Sequence, residues 1–435
     1  MYELERDEVH AGHVYVIAVA ALGLFLGNAL FKFINISGAS DYARFSRLVL
    51  LAGSMAAILF TFAKFRLSLL AFIFIAPLAV FNIPGLPFFF TYGDAYLIIL
   101  TFTWFARMTL GHEESIRKTL LDKPIFLFIT FTMLSMLNSR DTYAAIKELV
   151  QTLEFFVFCY YVFVAAVNRR SMLTAVVQAL VLCGALISLY GIYQWFKGGM
   201  GEARIVGTFA HFNAMGTFLA MMVVFIFNLA ITEKDARNRM IYFFCLSLNT
   251  AAIFLTFSRG AWIAAILGIV VTAWVRGMMQ FLKVFSLIVV VLILVSVTAP
   301  RVNERLASVP KIEDMASKNR LRQWKIALET MTYYPLLGIG LASNPYYVQQ
   351  KYNEPVHGEI HNLYLHIGSE RGLPAMLTLL AIFGIFFIHI IRRIGRTKDP
   401  YYYSLYVALF SVMITYATVN LFAYQLIRGL GLFFA

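Results

Sequence analysis

Arg259, Arg320 and His361 lie far apart in the chain, yet each pairs a chemically useful side chain with a setting that gives it work. An imidazole titrates near neutral pH and can take a proton, while a guanidinium offers an anion a planar fork of donors. Arg259 follows Ser258 where an apolar run meets a tight turn, a place where a charge is costly without a task or a partner. The alternative is an arginine that snorkels to lipid phosphate. Arg320 opens the stretch Asn319 to Tyr334, which reads as an amphipathic helix: Leu321, Trp324, Leu328 and Met331 recur at helical spacing and Pro335 follows. Lying on a membrane surface with Trp324 at headgroup level, this helix presents the Arg320 guanidinium just above the lipid interface, and a plain interfacial anchor fits the same pattern. His361 falls in a second short helix expected after Gly358, sharing a face with Leu365 and Gly368, with Asn362, His366 and Ser369 on another.

Further polar residues stand near apolar runs. Arg204, His211 and Asn213 flank the start of one span, where a lone histidine is more often a hydrogen-bonded structural residue than a ligand. Lys147, Gln151 and Glu154 form a stripe down one face of another span; a deep ionisable residue is a functional candidate, and an internal pair with Lys147 or a neighbouring helix explains it as well. No metal site is expected. His357 and His361 flank Glu359, but the order is HGEIH rather than HExxH, and Gly358 disfavours continuous helix there. Gly23 and Gly27 make a GxxxG that reads as local packing.

The elements that must position these residues are membrane helices. A chain of 435 residues that is 60% hydrophobic, 16% aromatic and 14% charged is too apolar for a soluble globular domain. Runs long enough to cross ~30 Å of hydrocarbon recur throughout. They fall near 14–34, 47–63, 67–81, 94–110, 124–138, 145–167, 172–196, 212–231, 240–257, 260–276, 283–300, 372–391 and 402–419, with a short last apolar run. The acidic start MYELERDEVH lacks the basic region and cleavage site of a secretory signal, so the first run reads as a retained helix. Cys159, Cys183 and Cys245 all lie inside apolar runs, which argues against a disulfide framework.

Alternate loops differ in charge. One set, including Arg107, Arg169, Arg170, Arg276 and Arg392 to Lys398, holds seventeen basic residues against six acids, +11 of the formal +13. By the positive-inside rule these loops are cytoplasmic, so the net charge carries no message about nucleic acid. The opposite set faces outward: NIPGLPFFFTYG before Asp94, the stretch Lys197 to Asn213, the turn at Ser258 and Arg259, and about 70 residues from Pro300 to Gly372. In the first half of that last loop, basic residues from Arg301 to Lys325 outnumber the acids, which points to an anionic partner or to a loop resting on anionic headgroups.

The run His361-Asn362-Leu363-Tyr364-Leu365, followed by Glu370-Arg371-Gly372-Leu373, resembles the HN-x-YL...E-x-GL signature of the O-antigen ligase family, which includes O-antigen and exopolysaccharide polymerases. Three segments agree in order: Gly207-Thr208-Phe209 with His211 and Asn213; Thr256 to Gly260; and Asn319-Arg320 through Trp324 to Tyr334-Pro335-Leu336-Leu337-Gly338-Ile339-Gly340. The resemblance implies an all-α, GT-C type glycosyltransferase of the bacterial inner membrane, with about 12–14 transmembrane helices. It would take a glycan from undecaprenyl diphosphate at the periplasmic face, with neither metal nor cofactor. The acceptor would be lipid A-core oligosaccharide, or a glycan in a polymerase. The catalytic histidine of the family maps onto His361 and its diphosphate-contacting arginines onto Arg259 and Arg320. Arg204, His211, Asn213, Glu154, Asn362 and Glu370 are the further candidates for the groove. The expected organisation is a transmembrane core over 1–300, an outer loop domain over 301–371 and C-terminal transmembrane helices over 372–435. A lipid or sugar transporter would instead show internal repeats and broken helices at matching positions, and neither is seen.

Overall fold

The computed structural model describes residues 53, 55–56, 58–78, 91–111, 117–198, 204–286, 315–352 and 360–425. The chain is an all-α, multi-pass membrane protein: no strand occurs among the described residues, and six helices are long and apolar enough to cross a bilayer. The helices in chain order are α1 (Phe65–Ile75), α2 (Tyr92–Thr109), α3 (Asp122–Ser135), α4 (Thr142–Leu153), α5 (Tyr160–Ala166), α6 (Arg170–Lys197), α7 (Phe212–Thr232), α8 (Ala236–Leu255), α9 (Arg259–Val275), α10 (Met315–Tyr333), α11 (Asn344–Tyr352), α12 (Leu363–Arg396) and α13 (Pro400–Val419). A π-helical turn, Glu154–Cys159, joins α4 to α5. The spans expected from 67–81 to 260–276, and at 402–419, each coincide with helix. The span at 14–34, residues 287–300 of the span at 283–300, residues 47–52, 54 and 57 of the span at 47–63, residues 426–435 of the last apolar run, and Gly23, Gly27, His357 and Glu359 lie outside the described residues.

The bundle is organised around α7, whose side chains are buried on nearly every face and which packs against α8, α9 and α13. Sequence supplies the stops. Asp235 caps α8 through the Asn238 N–H, and Asp399 caps α13, with Pro400 at the first helical position where a missing N–H costs nothing. Arg170 pairs with Asp399 at 3.1 Å. Because α7, α9 and α12 start at one end of the bundle and α8 and α13 finish there, Arg276, Arg392, Arg393 and Arg396 gather at the other.

Two sequence expectations change in detail. The span expected from 372 belongs to a helix that begins at Leu363 and is broken only at Gly372, whose φ is 84°. A Cβ on Gly372 would stand 2.1 Å from the Leu336 carbonyl oxygen, so the close pass of the 336 segment requires glycine. His361 is consequently not on a helix face; it precedes the cap residue Asn362. In α10 the stripe read as one apolar face splits. Ile326, Ala327, Thr330 and Met331 pack inward, α10 lies on α12, and Met331 sits over Gly368, while Leu321 and Leu328 stay exposed. The inward face takes alanine and threonine because it meets another helix closely, so apolarity alone does not mark it.

Candidate functional site

One cavity of about 430 Å³ lies where the starts of α7, α9 and α12 meet the end of α13. Six of the expected residues line it: Arg204, His211, Asn213, Arg259, Arg320 and His361. Phe212, Phe257 and Phe422 supply apolar wall, Gln323 adds an amide, and no acidic residue occurs among the described residues that line it.

Each side chain is delivered by a local device. Phe257, in the turn between α8 and α9, holds φ at 50°, a conformation bulky residues rarely adopt. That turn sets Arg259 as the first residue of α9, at the positive end of the helix dipole. Ser258 makes no capping bond to its own helix; its hydroxyl donates instead to Asn213 Oδ1 at 2.9 Å, tying the starts of α9 and α7 together. His211 caps α7, its Nδ1 accepting from the Asn213 N–H at 3.1 Å, so Nδ1 is unprotonated in this arrangement. Its ring packs against Phe212 with centroids 3.9 Å apart, and the Arg204 guanidinium lies 4.3 Å from the centroid of the same phenyl ring. Arg320, Asn319 and Gln323 reach the cavity from the N-terminal half of α10, whose other half is seated on α12.

The residues after His361 fix its place. Asn362 caps α12 by accepting from the Leu365 N–H at 3.0 Å and donates through Nδ2 to the Leu421 carbonyl at 3.2 Å. The Leu363 N–H donates to Asn420, and the Tyr364 hydroxyl to Ala417. The HNLYL run thus staples the start of α12 to the end of α13, which explains the spacing of its polar residues.

Three candidates do not line the cavity. Asn362 is the buried cap just described. Glu154 is buried in the π turn, with Oε1 lacking a hydrogen-bond partner among the described residues, and α2 packs over that turn. Glu370 is 1% exposed and accepts from the backbone N–H groups of Ala342 and Asn344 at 3.1 and 2.9 Å, so it anchors the glycine-rich loop. Gly338 in that loop has φ 66°, and a Cβ there would meet the Glu370 carbonyl at 2.4 Å.

Glu370 belongs to a polar clamp that sequence reasoning missed. His366 Nε2 lies 3.2 Å from Glu370, and the His366 ring stacks on Tyr424 at 3.8 Å. Arg371, fully buried, donates to Glu148 Oε1 at 2.8 Å, and the Tyr424 hydroxyl donates to the same oxygen. Glu148, His366 and Glu370 could offer ligand atoms within 4.8 Å of one another to a metal ion. Their donor atoms are already engaged by a guanidinium, a phenol and backbone N–H groups, so the arrangement serves as an internal brace. Glu148 sits beside Lys147 in the polar stripe, and an arginine after a buried-motif glutamate was the available signal.

Residues 241–380, which carry Arg259, Arg320, His361 and the clamp residues of α12, match the family model described as O-Antigen ligase. The match covers 140 of the 435 residues, and in that segment the chain is similar to the O-antigen ligase family. No curated protein matches the chain.

Proposed function

We propose that this protein is a metal-independent, GT-C type glycosyltransferase of the bacterial inner membrane that moves an undecaprenyl-diphosphate-linked O-antigen glycan onto an acceptor hydroxyl, lipid A-core oligosaccharide, at the periplasmic face. The observation that carries the reading is the convergence of His361, Arg259 and Arg320, from three separate segments, on one cavity. His361 takes the proton of the acceptor hydroxyl as its oxygen attacks the anomeric carbon. Arg259 and Arg320 hold the diphosphate and stabilise the charge that gathers on it as the glycosyl bond breaks, the task a divalent ion performs in other glycosyltransferases. The cavity opens at the bundle end opposite Arg276 and Arg392 to Arg396, and with basic loops inside the cell that end faces outward.

The test is transfer by purified protein with a chemically defined undecaprenyl diphosphate glycan and lipid A-core acceptor, in the presence of EDTA. Turnover is expected to persist. Loss in chelator with recovery on adding magnesium or manganese overturns the metal-independent mechanism, and transfer only to a second glycan chain makes the protein a polymerase. In whole cells, an impermeant maleimide is expected to reach Lys318→Cys but not Arg396→Cys on a background lacking the native thiols; the reverse pattern removes the outward-facing site.

A further inference from the structure

We propose that Arg204 is a third phosphate-facing cation of the cavity, beside Arg259 and Arg320, and that its contact with the diphosphate tightens as the glycosyl bond breaks. The inference rests on the reading of the cavity as a glycosyl-diphosphate site and assigns that site a further catalytic residue.

Arg204 is exposed, but the backbone that carries it is fixed. Gln194 clasps Gly207 from both sides, accepting from its N–H at 2.8 Å and donating to its carbonyl at 2.9 Å. The Ile205 N–H donates to the Leu255 carbonyl at 3.3 Å, and Ile205 and Phe209 are buried. Leu255 ends the helix before the turn that carries Arg259, so the bond at Ile205 registers Arg204 against Arg259. The Phe212 ring, 4.3 Å from the guanidinium, gives it an apolar rest from which its donors can reach into the cavity. A long flexible side chain is thereby carried on a fixed backbone and rests on one ring at the edge of the cavity that Arg259 and Arg320 also line.

Charge accounting then separates the roles. A diphosphate esterified at both ends carries one charge on each phosphate. In the transfer step the acceptor oxygen bonds to the anomeric carbon and its proton passes to His361. The bond from that carbon to the diphosphate oxygen breaks, and its electron pair stays on the oxygen. The freed terminal phosphate then resembles a monoester, with a charge of about −1.5 to −2 at pH 7. Two arginines match the two charges of the donor, the third adds to their stabilisation as the further charge develops, and an interaction that grows along the reaction raises kcat rather than donor affinity.

The experiment uses the full chain in nanodiscs, a polyprenyl diphosphate carrying an uncharged glycan, and Arg204→Gln, Arg204→Lys and Phe212→Leu. Arg204→Gln is expected to lower kcat by about 10- to 100-fold and to leave the donor KM within about twofold. It should also weaken inhibition by free polyprenyl diphosphate about tenfold while leaving that by the monophosphate unchanged. Arg204→Lys should recover part of the loss, because an ammonium keeps charge without the fork. Phe212→Leu, which keeps the arginine and removes its rest, should show a smaller kcat loss in the same direction. Unchanged kcat and product inhibition in Arg204→Gln overturn the proposal, as does a rise in donor KM alone. A loss seen only with carboxylate-bearing glycans also overturns it, by giving Arg204 to the glycan instead. A wild type that neither turns over nor binds polyprenyl diphosphate removes the reading of the cavity itself, a result distinct from any of these.

Discussion

The cavity and the clamp use the same residue types at neighbouring places and to opposite ends. In the clamp, Arg371 meets Glu148, His366 meets Glu370, and Tyr424 closes the set, all of it packed away from solvent except part of Glu148. In the cavity, Arg204, Arg259, Arg320, His211 and His361 line an open space, and the described lining holds no carboxylate. Only four residues lie between His361 and His366, yet one faces the cavity and the other an internal acid. The difference teaches that an arginine or histidine in this bundle braces the fold where it is buried against a carboxylate, and borders open space where the described lining carries none.

The sharpest way to break this comparison is at the two histidines and their cations. His361→Gln, in protein shown to be folded and donor-bound, is expected to lose about 100- to 10,000-fold in transfer rate with an unchanged melting temperature. Near wild-type turnover there would make His361 a second structural residue and erase the contrast. Arg371→Met should do the reverse. It leaves the Glu148 carboxylate without its cation in a buried setting, at a cost of about 3–5 kcal/mol in stability, read as a lowered melting temperature and poor recovery from the membrane. The double variant Arg371→Met with Glu148→Gln should regain much of that stability. If both singles and the double melt alike, the clamp is not a brace.

The smallest expected effect lies outside both regions. The Asp141 carboxyl caps α4 by accepting from the Ala144 N–H and also accepts from the Tyr346 hydroxyl at 2.8 Å, and these bonds hold its pKa below the ordinary carboxylate range. A depressed folded-state pKa means the contribution is present above the unfolded-state value, near 3.9, and fades as pH falls through the folded one. Asp141→Asn should therefore narrow the difference in melting temperature between neutral and acid pH slightly, with transfer at neutral pH unaffected. A large loss of activity would tie the Asp141 contact to the site.

Sequence carried the architecture well because a bilayer demands long apolar helices, and most of their described ends fell within a few residues of the structure, the start of α12 at Leu363 rather than 372 being the exception. Arg259, Arg320 and His361 were legible for a different reason: each stands at a motif and on the same predicted side. Asn362 and Glu370 stand in those motifs too, but a motif does not say which members face outward. Their tasks, a cap and a loop anchor, depend on where α13 and the 338–344 loop arrive in space. The clamp was hidden because its partners are 223 residues apart for Arg371 and Glu148 and 276 for Tyr424 and Glu148. The apolar stripe of α10 misled because a face that meets another helix closely selects small residues such as Ala327.

One contact sets more than its size suggests. Met331 rests on Gly368, where even a single added carbon would come within 2.8 Å of the Met331 methyl group. Arg320 lies eleven residues along α10 from that contact, about 16 Å by helix rise. The glycine is the fulcrum of a lever with the guanidinium at its far tip, so a slight tilt at position 368 becomes a much larger swing of the charge. Gly368 does not line the cavity, and a natural or engineered Gly368→Ala would press on the flexible tip of Met331, at the seat of the helix that carries Arg320, without altering a single group that lines the pocket.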